Sequence, residues 1–337
     1  MKISKLSKLF TAASLLLSLS LPLQAAEHEI KVSVLAPEGS TWVNIMKEMD
    51  KELQTASGGK AALKIYAGGV SGDEKDVIRK MRIGQVHAAG LTGVGLGEIN
   101  PSVRVLELPM LFNSYQEADY VKSKIQGDFE KQFDAKGYVL LGWAEAGFVN
   151  IMSNKPIKSK ADMVGTKWWA WEGDPLVKEM YATLGITPTP LALPDVLTSL
   201  QTNLIDAVYA PPLAAIALQW FTKTKYMTDL PLANSTGAFV MSKTEFAKLP
   251  ADLQTTLKTV SEKYCTKLVA AIRADNAKSM ETLKKNGIQV ITVAPNDKAE
   301  LEKVSAEVRP KLVGKLYSQE LLNKVQGLIT EYRSGHK

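Results

Sequence analysis

Cysteine occurs once in the 337 residues, as Cys265, and histidine three times, as His28, His87 and His336. One thiol excludes an intrachain disulfide. Three scattered imidazoles beside a single cysteine give no zinc-ligand spacing. A Ser/His/Asp hydrolase would need one of those histidines, and two lie near the chain ends. His87 sits in Gly-Gln-Val-His-Ala-Ala, which reads as a strand, so a satisfied strand histidine is the simple expectation. Glu172 and Asp174 could imitate a glycosidase acid pair, but on a turn they read as a solvated face. No catalysis, metal or cofactor is expected. A concentrated basic patch is also missing: Lys and Arg number 41 against 35 Asp and Glu, a net charge of +6, and the signs interleave, as in Lys47-Glu48 and Glu302-Lys303. That pattern argues against nucleic-acid binding.

Long apolar runs are confined to the N-terminus. Lys2, Lys5 and Lys8 precede an apolar stretch from Leu9 to Leu23, and Ala25 and Ala26 offer small residues for cleavage. This is the layout of a secretory signal peptide. A stretch of about 15 residues is short for a membrane span, and no cysteine follows it to carry a lipid anchor. The expected mature protein is exported and begins near Ala26 or Glu27. Its 45% hydrophobic and 23% charged content is ordinary for a folded protein, and the length suggests about two globular units.

The mature chain alternates strand and helix signals. Ile30–Leu35 reads as a strand, Thr41–Ala56 as a helix stopped at Ser57-Gly58-Gly59, Ala62–Tyr66 as a strand, Glu74–Ile83 as a helix and Val86–Leu91 as a strand. Strand-helix-strand-helix-strand argues for a parallel sheet with crossover helices. Gly93, Gly95 and Gly97 follow. Their G-x-G-x-G spacing is not the dinucleotide fingerprint, and the run reads as a flexible loop at the carboxyl end of a strand, where open α/β sheets hold ligands. Further on, Ser114–Phe133 reads as a helix, Tyr138–Trp143, Val149–Met152 and Lys167–Ala170 as extended segments, and Asp174–Leu184, Pro194–Thr202 and Pro212–Phe221 as helices. Ile205–Tyr209 and Phe239–Ser242 read as strands, Ala251–Lys285 as one long helix, and Lys298–Arg309 and Ser318–Tyr332 as the last helices.

The succession Glu107-Leu108-Pro109-Met110-Leu111-Phe112, Gly147-Phe148-Val149, Ser153-Asn154-Lys155-Pro156-Ile157, Asp162-Met163-Val164-Gly165-Thr166-Lys167, Leu184-Gly185-Ile186-Thr187-Pro188 and Leu200-Gln201-Thr202-Asn203-Leu204-Ile205-Asp206 resembles the substrate-binding proteins of TRAP transporters, the DctP type. Each motif is weak alone; six in register along the mature chain are specific. The resemblance implies an α/β, two-lobed periplasmic binding protein fold, type II-like, with crossing hinge segments and a long helix running along both lobes. On that plan residues 26–147 and 236–275 form lobe I, and 148–235 and 276–337, with the C-terminal helices, form lobe II. It also implies a monomeric periplasmic receptor that closes on a small organic ligand and delivers it to TRAP membrane permease subunits. A periplasmic helical-repeat protein is an alternative partner for apolar cargo.

Relatives of this type hold an organic acid with arginines, whose guanidinium matches a carboxylate bidentately. By the resemblance, Trp169 stands where one arginine should be, Val149 where a second often occurs, and Tyr209 and Ala210 where polar side chains are usual. Thr92 corresponds to a polar or acidic position of the first lobe. By strand alternation Trp169 and Trp171 share a face, taken as the cleft face, and Trp168 points to the core. The expected ligand-binding set is Trp169, Trp171, Phe148, Val149, Tyr209, Ala210, Thr92 and Lys167, and the expected ligand is apolar or aromatic. Glu145, Glu172 and Asp174 could supply counter-charge to a cation over a Trp face. An organic acid held by a relocated base, Lys167 or Arg104, is the competing reading, although Arg104 in its Val-Arg-Val stretch reads as a surface residue. Trp143 and Trp220 read as core, and Trp42 as core or cleft.

Overall fold

The alternation in His28–Val34 (β1) buries Ile30, Val32 and Val34. Helices Thr41–Ala56 and Glu74–Arg82 return the chain for Ala61–Tyr66 (β2) and Ala88–Thr92 (β3), which flank β1 in parallel. Ser40 caps the first helix and an Asp73/Asp76 capping box opens the second. The computed structural model describes residues 26–336. The signal peptide expected over residues 1–25 lies outside the described residues.

The two lobes share one strand. Tyr138–Ser153 (β4) was expected as two extended segments and is a single strand of 16 residues. Register shifts between Leu140 and Gly142 and between Glu145 and Gly147 break its alternation, which hid its continuity in the sequence. Gly147 takes φ +106°, a conformation that requires glycine. As far as Val149, β4 pairs with Ala233–Ser242 (β9), which joins it antiparallel to β3. From Asn150 to Ser153 it pairs instead with Ala207–Ala210 (β7), and Met152 and Ser153 also meet Tyr226–Thr228 (β8). Gln289–Ile291 (β10) extends that side. Trp169–Trp171 (β5) and Thr189–Leu191 (β6) pair in parallel, and a bridge from Trp168 to Ala207 links them to β7.

Helix Ala251–Lys285 has the expected bounds and, at 35 residues, is about 52 Å long. It buries Leu253, Leu257, Val260 and Cys265 in the first-lobe core and Leu283 in the second. Three expectations differ from the structure. Gly93–Ile99 is a helix capped by Thr92, not a loop. Pro194–Thr202 is shorter, a 3-10 turn and then helix Val196–Gln201, because Pro194 ends the preceding extended segment. The last helix, Gln319–Gly335, packs Leu322, Val325 and Ile329 into the first-lobe core, whereas the family plan assigned it to lobe II. Helix Pro295–Lys311 makes the crossing: Leu301 and Val304 lie in a second-lobe cluster and Val308 in the first-lobe core.

Gly142 shows how tightly the long helix lies on β4. A Cβ there would stand 2.7 Å from both Cβ and Sγ of Cys265 and 3.3 Å from the Ser261 carbonyl. Gly142→Ala is expected to lower unfolding stability in urea by about 1–3 kcal/mol through overpacking. An unchanged midpoint would contradict this helix–strand contact.

Candidate functional site

The three alternating glycines make room for buried charge. A Cβ on Gly93 would overlap the Glu107 carboxylate, one on Gly95 would lie 2.8 Å from Glu74 Oε2, and one on Gly97 would lie 3.0 Å from Arg104 Cδ. Glu74 is 1% exposed and accepts from Thr92 N, Thr92 Oγ1 and Gly95 N at 2.7, 2.9 and 2.6 Å. Burial pushes its carboxyl up to about 7, with those donors opposing. Glu107 is likewise pushed up to about 7 by burial, against the pull of Arg104; Thr236 N donates to it at 2.8 Å.

Arg104 is not a surface residue. It is 4% exposed because Val103, Arg104 and Val105 lie in a 3-10 helix, Pro101–Glu107, buried on all sides. Its Nε lies 2.9 Å from Glu107 and its Nη2 2.8 Å from Asp174, the N-cap of helix Pro175–Leu184 in the second lobe. Burial works against the guanidinium's charge, and Asp174 and Glu107 outweigh it. A second tie crosses the cleft at Asp73, whose carboxylate accepts from Trp171 Nε1 at 3.0–3.1 Å and from Leu193 N at 3.0 Å.

Two cavities flank this closure. One, of about 150 Å³, is walled by Thr92, Arg104, Val149, Trp171 and Tyr209 and runs on into the second lobe. The other, of about 390 Å³, lies between the turn Pro37–Thr41, Trp42 and helix Pro212–Ala217. Thr92 borders both.

Of the eight expected site residues, Trp171, Val149, Tyr209 and Thr92 meet at the smaller cavity. The other four line neither. Trp169, 1% exposed, lies one layer back, stacked on Tyr209 at 4.6 Å and edge-on to Trp220 at 5.2 Å, with Nε1 donating to the Leu191 carbonyl. The aromatic ring offered by Tyr209 draws the indole into the core. Ala210 is buried in the same cluster, and Trp220 is core as expected. Lys167 is exposed and donates to the Asn203 carbonyl, which turns it from the cleft. Phe148 packs 4.8 Å from Tyr115. Trp168 is buried as expected, but its ring also lines the smaller cavity. Trp42 is cleft-facing, and Trp143 packs on Phe129 in the first-lobe core. Glu145 is committed to Arg273, Glu172 is exposed, and His87 accepts from Lys31 N at 3.2 Å, just before β3.

Sequence reasoning missed Asp73, Glu74 and Glu107. The glycine run was their signal, since alternate small residues after a strand accommodate bulky neighbours. Among the described residues no cluster suited to a metal occurs, and no helix is long and apolar enough to cross a membrane.

Two α/β lobes sharing a strand, with a cleft bridged by side chains from both, are the architecture of a solute receptor. The family model for bacterial extracellular solute-binding protein, family 7 (DctP) matches residues 32–315, and the chain belongs to that family. A solute-binding protein of Roseobacter denitrificans is 28% identical over 305 residues, covering 88% of this chain and 92% of its own. The C4-dicarboxylate-binding periplasmic protein of Rhodobacter capsulatus is 23% identical over 94% of this chain and 96% of its own. The crystal structure of a TRAP periplasmic solute-binding protein from Pseudomonas putida with bound D-glucuronate superposes with a TM-score of 0.81 at 28% identity, covering 88% of this chain and 96% of that one. This chain is therefore a TRAP-type receptor for a small ligand, working with membrane permease subunits, and not an enzyme.

Glu74 and Glu107 carry a pH signature. Each carboxyl has a higher proton affinity folded, near 7, than its ordinary value of 4.5. Their stabilisation is fully present below pH 4.5 and is lost as pH rises through 7. The expected loss is on the order of 2–3 kcal/mol per group. Melting temperature should fall from pH 5 to pH 8, with a shallower slope in Glu107→Gln; an identical slope would remove Glu107 from this account.

Proposed function

We propose that this receptor is exported, with cleavage near Ala25 or Ala26, and acts as a monomer that captures an apolar or aromatic ligand carrying at most one polar end. The observation that carries the reading is the absence of an available cation. Among the described residues lining the two cavities, Arg104 is the only basic one, and Glu107 and Asp174 already flank it. Glu74 and Glu38 at the larger cavity add further carboxyl groups. A ligand carboxylate entering this cleft would lose its hydration without gaining a free guanidinium, a cost of several kcal/mol. Apolar surface gains roughly 25 cal/mol per Å² removed from water on the same walls. Trp171, Val149, Tyr209 and Thr92 are the proposed contacts, with Trp169 and Ala210 supporting them from behind.

Specific observations favour a second reading, an organic acid held by Arg104 as a relocated anchor. Arg104 lines the cavity, and the Pseudomonas putida neighbour holds D-glucuronate. The two readings differ in what binds. Native mass spectrometry of protein purified from its own host should show a retained neutral or cationic molecule, and calorimetry should detect no tight binding of succinate or glucuronate. Val149→Arg, which restores a guanidinium at the cavity wall, should weaken a neutral ligand about tenfold or more and admit an acid. Micromolar binding of an acid by the unmodified protein would overturn the apolar reading and leave the transport role standing. Co-purification of the unmodified receptor with a permease subunit or with a helical-repeat protein would identify its partner.

A further inference from the structure

The smaller cavity does not stop at the cleft. It passes Trp171 and enters the second lobe, ending among Met163, Trp168, Leu184, Leu301 and Ser305. Its inner wall comes from helices Pro175–Leu184 and Pro295–Lys311 and from Met163 and Trp168, none of them among the eight residues expected from the sequence.

Besides Arg104 Nε, which has Glu107 as an ion-pair partner but no hydrogen bond, two polar atoms on this wall have no partner. Asn234 is 5% exposed and Ser305 is 0% exposed, yet Asn234 Nδ2 and Ser305 Oγ make no hydrogen bond. A buried donor left unpaired costs about 1–3 kcal/mol, and native folds tolerate few of them without a reason. Their neighbours are satisfied: Trp168 Nε1 donates to the Met163 carbonyl at 2.9 Å, and Tyr181 hydroxyl to the Trp169 carbonyl at 2.9 Å. Five other buried unpaired atoms, among them Trp143 Nε1 and the Tyr138 hydroxyl, lie away from this cavity, but the aromatic donors beside it are paired. The whole cavity, its cleft end included, measures about 150 Å³, and an apolar space of that size accepts a single benzene ring.

We infer that this inner chamber is a second compartment of the ligand site, holding one aromatic ring or short aliphatic tail whose uncharged hydroxyl or carbonyl oxygen accepts a hydrogen bond from Asn234, with Ser305 as a second polar point. The ligand class is then a phenol-like or carbonyl-bearing amphiphile, buried ring-first. This deepens the proposed apolar reading and rests on it for the assumption that the cargo enters without a counter-ion.

The test uses the full mature protein with p-cresol and p-xylene, probes of similar shape that differ by a hydroxyl. The chamber predicts saturable p-cresol binding by calorimetry, tighter than p-xylene by about fivefold. Asn234→Leu should abolish that preference while keeping p-xylene affinity. Leu301→Trp should block both probes, and because overpacking can also unfold the lobe, 4-bromophenol soaked into crystals of the unmodified protein should place bromine among Trp168, Leu184 and Leu301. Bromine found only in the open cleft, or a preference unchanged in Asn234→Leu, overturns the chamber. The apolar reading fails separately, if the molecule retained from the host is an acid while p-cresol still occupies the chamber.

Discussion

Arg104 holds a carboxylate from each lobe, Glu107 on its own side and Asp174 across the cleft, all nearly free of solvent. Such an ion pair adds little net stability, because desolvating the charges consumes most of the attraction. Its effect is conditional. If the lobes separate, water must enter to solvate one guanidinium and the two carboxyl groups it holds, so the cluster is satisfied either fully closed or fully wetted. Asp73 makes the same kind of bond to Trp171 and Leu193. Closure is thereby tied to one geometry, and a ligand shifts the equilibrium only by what it adds in the closed state.

Everything around that cluster keeps it in place. Gly93 and Gly97, one turn apart, make room for Glu107 and Arg104 on one face of their helix, and Gly95 makes room for Glu74 on the other. The shared strand β4 changes partners between Val149 and Asn150, beside the cavity, so a movement of one lobe is felt at the ligand wall. The long helix packs against both lobes. Behind the second-lobe wall, Trp169, Tyr209 and Trp220 interlock; aromatic pairs of this kind contribute about 0.5–1.5 kcal/mol beyond their area. That rigidity positions Trp171 for its bond to Asp73.

The cavities of this receptor are lined by more carboxylates than cations, while the Pseudomonas putida neighbour is described with bound D-glucuronate. The same fold serves because specificity lies in a few side chains around the cleft and not in the sheet order.

The chain order of strands and helices, the bounds of helix Ala251–Lys285 and the family were legible from local pattern, because periodicity and caps act over a few residues. Trp171, Val149, Tyr209 and Thr92, expected as ligand contacts from the family resemblance and strand alternation, line one cavity. Tertiary structure alone decided that Trp169 turns inward to Tyr209, that Arg104 is buried, and that Gln319–Gly335 returns to the first lobe. Those outcomes depend on partners far away in sequence: Asp174 lies 70 residues from Arg104. No local propensity encodes such a pairing, since the free energy that selects it arises only when both lobes are folded and water has left the space between them.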